Sequence, residues 1–104
     1  MASKKYEFAI SRRAEREFHG IIQYLIDEFA SPQAANRFYK SVQKAYGKIK
    51  KFPYMGPPIG KLYMDCSEYR KFVLSSYNIY YIILDNTVTI VSIMHQSRST
   101  DNLK

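Results

Sequence analysis

A single cysteine, Cys66, has no partner for an internal disulfide, which excludes a disulfide-stapled scaffold. It points to a reduced, cytoplasmic setting, with Cys66 as an inert loop thiol. His19 and His95 are the only histidines, and with Cys66 they are too few and too scattered for a structural zinc site. No metal and no cofactor is therefore expected. No apolar run approaches the ~20 residues of a membrane span. The opening Met1-Ala2-Ser3-Lys4-Lys5 has no signal-peptide core and leads straight into a strand pattern, so no membrane partner is expected. A Gly-rich phosphate loop and an RNA-recognition fingerprint are also missing. With no repeat, low-complexity tract or linker, residues 1–104 are expected to form one domain.

What the chain does have is apolar and basic. Hydrophobic residues make up 46% and there are ten tyrosines, which is enough for a packed core and excludes wholesale disorder. The net charge of +7 is unevenly placed: residues 1–53 hold 11 Lys/Arg against 5 Asp/Glu, and residues 54–104 hold 5 against 4. That asymmetry suggests an acidic partner for the first half, either nucleic acid or an acidic protein segment.

Tyr6–Ile10 alternates like a strand. Ser11 is placed to cap a helix whose apolar positions, Ala14, Phe18, Ile21, Ile22, Leu25, Ile26 and Phe29, fall in an arc of roughly 140°. Gly20 falls on the opposite face. Ser31-Pro32 restarts the chain as an N-cap and a first-turn proline. The second helix is expected to bury Ala35, Phe38, Val42, Ala45 and Ile49, with Tyr39 and Tyr46 at the edge of the stripe. Arg37, Lys40, Lys44, Lys48 and Lys51 cluster on its far side. The short link makes the pair an antiparallel helical hairpin, and Phe52-Pro53 ends it.

Residues 53–68, with Pro53, Gly56, Pro57, Pro58 and Gly60, read as irregular, pinned by Tyr54, Met55, Leu62, Tyr63 and Met64. Three strands follow: Tyr69–Leu74, Tyr77–Leu84 and Thr87–His95. Asp85-Asn86 suits a tight hairpin, and Ser75-Ser76 is a weaker turn signal. The polar tail 97–104 is expected to fray. The fold class is thus α+β, β-α-α-β-β-β, with a four-stranded sheet backed by two helices. One feature bears on function. Both faces of Tyr77–Leu84 are apolar or aromatic, yet the hairpin covers only one. The other must be covered by the 53–68 loop, left exposed, or occupied by a partner.

This layout resembles the RelE/ParE toxin superfamily along nearly the whole chain. The likeness is carried by Ser31-Pro32-x-Ala34-Ala35, Phe52-Pro53-x-x-Gly56, Tyr69-Arg70, Tyr77-x-Ile79-x-Tyr81 and Val91-x-Ile93-x-His95-x-x-Arg98. The resemblance implies the toxin of a type II toxin–antitoxin pair, wrapped by a cognate antitoxin through an extended and helical segment. Two activities are implied, cutting messenger RNA in the ribosome (RelE-like) or poisoning DNA gyrase (ParE-like).

RNA cleavage through the 2′-hydroxyl needs a base, an acid and cations on the phosphate. Arg70, Lys71, Tyr77, Tyr80, His95 and Arg98 are the candidates, with Arg70, Tyr80, His95 and Arg98 as the catalytic set. Arg70 and Lys71 are strand neighbours and project to opposite faces. The basic residue that RelE-like ribonucleases carry before the turn into the third strand is replaced by Val73-Leu74, and no tyrosine follows Tyr81. The depleted cations and the Ser-Pro-x-Ala-Ala start look more ParE-like. In that reading Tyr77, Tyr80 and the ridge Arg37, Lys40, Lys44, Lys48 and Lys51 meet partners, the ridge steering association. A third reading is a basic module in which Tyr77, Tyr80 and Tyr81 stack nucleic-acid bases without toxicity.

Overall fold

The computed structural model describes residues 5–61 and 68–103. Its elements run β1 (Glu7–Ile10), α1 (Arg12–Asp27), α2 (Pro32–Lys51), a 3-10 turn (Pro53–Met55), β2 (Pro58–Lys61), β3 (Glu68–Leu74), β4 (Tyr77–Leu84), β5 (Thr87–His95) and a closing 3-10 turn (Thr100–Leu103). One mixed sheet has the order β1-β5-β4-β3-β2. β1 lies parallel to β5, while β2 through β5 form an antiparallel meander. The α+β class and the helical hairpin match the expectation from sequence.

Ser11 caps α1 by accepting from the Ala14 N–H at 3.0 Å, and its hydroxyl donates to the Val91 carbonyl at 2.8 Å. One side chain thus terminates the helix and ties it to β5. Ser31 accepts from the Ala34 N–H at 3.2 Å, with Pro32 in the first turn of α2. The β3–β4 and β4–β5 turns each place their first residue at positive φ, Ser75 and Asp85 at 56°. Two-residue connections between twisted strands demand that conformation.

The main core lies between the hairpin and the sheet. Ala14, Val42, Ala45, Tyr46 and Ile49 meet Ile79, Tyr81, Val88, Ile90 and Ile93. A second cluster of Tyr69, Tyr80, Met94 and Leu103 includes the opposite, even-numbered face of β4.

Four expectations need correction. Residues 53–68 are not wholly irregular, because Pro58–Lys61 adds a fifth strand. Pro58 is tolerated there because β2 is an edge strand, and Gly60, at φ 98°, takes up the register shift. α1 stops at Asp27, so Phe29 lies beyond it and is exposed, as is Ile26. Tyr54 and Met55, expected to give the loop apolar material to pin itself down, are largely exposed, and the Tyr54 ring is held by Arg70. The tail, expected to fray, is placed in a 3-10 turn that buries Leu103 completely. Cys66, Leu62, Tyr63 and Met64 lie outside the described residues. No helix among the described residues is long and apolar enough to cross a membrane.

Candidate functional site

The candidates for RNA cleavage separate into three places. Arg70 faces the same side of the sheet as its ladder partner Tyr81 and is committed to the 3-10 turn. Its guanidinium donates to the carbonyls of Gly56 at 2.6 Å and Tyr54 at 3.3 Å, and lies 4.8 Å from the Tyr54 ring centroid. A long contact to Glu68, at 3.9 Å, adds little. The Tyr81 hydroxyl completes the clasp: it donates to the Pro53 carbonyl at 2.6 Å and accepts from the Gly56 N–H at 3.0 Å. Burial raises the Tyr81 pKa above the ordinary phenol value, against the opposing effects of the Gly56 hydrogen bond and the Arg70 charge. Gly56 is obligatory here, since a Cβ would sit 2.5 Å from the Tyr81 hydroxyl and 2.6 Å from the Lys71 carbonyl. Lys71 projects to the other face, and its backbone N–H meets the Pro57 carbonyl.

Tyr80 is in the second place, buried at 2% exposure on the even face of β4, where its hydroxyl accepts from the Asn78 amide at 3.1 Å. It belongs to the cluster that Leu103 covers, so the fold presents it neither to a phosphate nor to a partner. The covering of this face by the chain's own C-terminal turn was not among the options drawn from sequence, which omitted the tail.

Tyr77, His95 and Arg98 converge in the third place, a groove of about 280 Å³ between α1 and the end of β5. The Tyr77 ring sits 5.1 Å from Phe38 and 5.4 Å from His95. Burial, and secondarily the nearby Tyr24 hydroxyl, raise its pKa. His95 Nδ1 meets the Ser97 N–H at 3.1 Å and the Ser97 hydroxyl at 2.9 Å, which together orient the ring. The Arg98 backbone N–H meets the His95 carbonyl, while its exposed guanidinium makes no hydrogen bond or ion pair among the described residues. The groove therefore holds a fixed imidazole, a phenol and an uncommitted guanidinium.

Sequence reasoning missed the α1 wall of this groove, formed by Glu17, Gly20, Ile21 and Tyr24. Their i, i+3, i+4, i+7 spacing was a readable signal that these residues share one side of the helix. Glu17 also secures β5: its carboxylate accepts from the Ser92 hydroxyl at 2.7 Å and the Ile93 N–H at 3.2 Å. These are the residues next to the register shift opposite Tyr80/Tyr81, where a bulge leaves a ladder N–H in need of another acceptor. Gly20 has open space where a Cβ would stand, so its lack of a side chain keeps the groove clear.

The ridge Arg37, Lys40, Lys44, Lys48 and Lys51 is exposed along α2. The hairpin also exposes Tyr24, Ile26, Phe29 and Tyr39, with Tyr24 and Phe29 in edge contact at 5.3 Å and Tyr39 against Phe18 at 6.0 Å. No group of three His, Cys, Asp or Glu among the described residues is placed to hold a metal ion.

The fold is similar to solved structures of toxin–antitoxin proteins. A chain of the chromosomal ParDE system of P. aeruginosa superposes with a TM-score of 0.72 at 12% identity, covering 89% of this chain and 98% of that one. A chain of the RelBE2 toxin–antitoxin complex of Mycobacterium tuberculosis gives a TM-score of 0.57 at 17% identity, covering 93% and 98%. Among curated proteins, none matches the chain in sequence. A family model for the ParE toxin of the type II toxin–antitoxin system, parDE, matches residues 8–100, which spans both helices and every strand from Phe8 onward. The chain belongs to the ParE toxin family.

Proposed function

We propose that this chain is the toxin of a type II toxin–antitoxin pair, held in a hetero-oligomer by a cognate antitoxin. It arrests growth in the cytoplasm by ParE-like inhibition of DNA gyrase. The observation that carries this reading is the dispersal of the candidate catalytic groups. Arg70 is bound to the carbonyls of Tyr54 and Gly56, Tyr80 is buried, and only His95 and Arg98 of the proposed catalytic set share a groove. In-line displacement at phosphate needs base, acid and cations converging on one atom. Poisoning a topoisomerase needs only binding. The exposed Tyr24, Ile26, Phe29 and Tyr39 supply apolar contact, and the α2 ridge steers association with a polyanionic gyrase–DNA complex. Purified protein added to gyrase and supercoiled plasmid is expected to trap cleaved DNA, and unchanged supercoiling activity sinks the reading.

One observation favours the RelE-like alternative, a ribosome-dependent endoribonuclease: Tyr77, His95 and Arg98 line the same groove. Mapping transcript ends after induction separates the two, because only a ribonuclease produces new cuts within translated messages.

A further inference from the structure

A second, larger groove of about 1140 Å³ opens where the start of β1, the end of α2 and the Pro53–Met55 turn meet. Its surface is apolar, with Phe52, Tyr54 and Met55 at 58%, 61% and 48% exposure. Lys5, Lys50 and Lys51 stand on its rim with one carboxylate, Glu7, which leaves the lining a net charge of +2; none of the three lysines is ion-paired among the described residues. Lys51 Nζ rests 5.5 Å from the Phe52 ring centroid. Lys50 and Lys51 have a local role in the last turn of α2, where they offset the negative end of the helix dipole. Lys5 has no such role. It comes from another element, and its backbone is fixed at the start of β1 by the Asn86 amide donating to its carbonyl at 2.7 Å. Cations converging from two elements on an apolar floor make a surface for a ligand that is both anionic and apolar.

We infer that this groove docks an acidic, amphipathic polypeptide segment. A nucleic-acid backbone matches the lysines but gains nothing from Phe52, Pro53 and Met55. One face of Tyr54 is already covered by Arg70 and one face of Phe52 by Lys51, so each ring keeps only one face for a stacked base. A drug-sized molecule underfills so open a cleft. Alternating Glu and aliphatic side chains satisfy both the rim and the floor. The assignment rests on the toxin–antitoxin reading in one respect: it makes the natural occupant a segment of the antitoxin.

The test uses the whole chain and a labelled peptide of roughly 12 residues, about 40 Å when extended, in which Glu alternates with Leu and Ala. Fluorescence anisotropy is expected to show saturable binding that weakens about tenfold or more in Lys5→Glu/Lys50→Glu. It should change less than about twofold in Arg12→Glu/Arg16→Glu, which alters net charge equally on residues outside the groove. Met55→Asp provides an independent loss through the floor. Equal loss in both charge-reversed proteins, equal binding of the peptide with Gln in place of Glu, or displacement of the peptide by a thymidine oligonucleotide overturns the inference. Growth arrest by the chain expressed alone reports on the toxin reading separately. A toxic chain whose peptide binding ignores Lys5 and Lys50 refutes the groove and leaves that reading standing. A harmless chain that binds the peptide through them does the reverse.

Discussion

Arg70 and Arg98 looked interchangeable as candidate phosphate-binding cations, yet the fold uses them in opposite ways. Arg70 sits on β3 beside Tyr81, gripped by two backbone carbonyls and an aromatic face. Arg98 follows β5 beside Tyr77, with its backbone anchored and its guanidinium left to solvent. A guanidinium offers five donors in a rigid fork, which suits either fixing irregular backbone or gripping an anion. What decides between the two is whether backbone carbonyls lie within reach. The turn that follows α2 supplies them to Arg70. Nothing described supplies them to Arg98.

The contrast predicts a steep gradient in stability. The largest effect is expected for Gly56→Ala, because the added Cβ collides with the Lys71 backbone carbonyl, which cannot rotate away, as well as with the Tyr81 hydroxyl. Overpacking of this kind costs about 3 kcal/mol, or roughly 12–24 °C in Tm for a domain of this size. A thermal melt within a few degrees of the parent would show that the 3-10 turn is not held as described. Tyr81→Phe comes next, at about 2 kcal/mol, since it strands the Gly56 N–H and the Pro53 carbonyl in a buried setting. Arg70→Ala is expected to cost about 1–2 kcal/mol by the same loss of partners. Arg70→Lys should recover little of it, because an ammonium cannot span two carbonyls and cover a ring together.

Arg98→Ala is the counterpart and should move denaturant stability by no more than about 0.5 kcal/mol. It also sharpens the comparison on the functional side. If the groove cleaves RNA, removing this cation is expected to lower cleavage about a hundredfold with the fold intact. A loss of stability matching Arg70→Ala would mean that both arginines are structural and that the groove is not a site.

The same division explains what was readable in the residues. Regular elements announced themselves through local chemistry: Ser11 and Ser31 as caps, the 3.6-residue stripe ending at Ile49, and the turns at Ser75 and Asp85. The family likeness was equally readable because it depends on order and spacing. What escaped was set by contacts between distant parts of the chain. Pro58–Lys61 looks like loop because Pro and Gly obscure the alternation, and only pairing with β3 makes it a strand. Leu103 lies in a polar tail, and nothing near it indicates that Tyr69, Tyr80 and Met94 await a cover. Tyr80 was therefore read as a presented aromatic when it is a core residue. Arg70 was read as catalytic for the same reason: the carbonyls that engage it lie 14 and 16 residues away in sequence.

A separate effect is expected in alkali, and it tests the core between the helical hairpin and the sheet. Tyr46 packs against Phe8 at 5.5 Å beneath the sheet, and burial, reinforced by the Glu15 charge, pushes its pKa up to about 12. An unfolded tyrosine ionises near 10. Between pH 10 and about 12 the unfolded chain therefore binds fewer protons than the folded one, and stability falls as pH rises through that window. Its contribution is fully present below pH 10. Tyr77 and Tyr81 are shifted in the same direction and add to the slope. Urea melts of Tyr46→Phe across this range should show a shallower decline than the parent, and Tyr81→Phe a smaller flattening on an already lowered baseline. An unchanged slope in Tyr46→Phe would mean that its hydroxyl is hydrated in the folded state and that the α2 face of the core is looser than the packing against Phe8 implies.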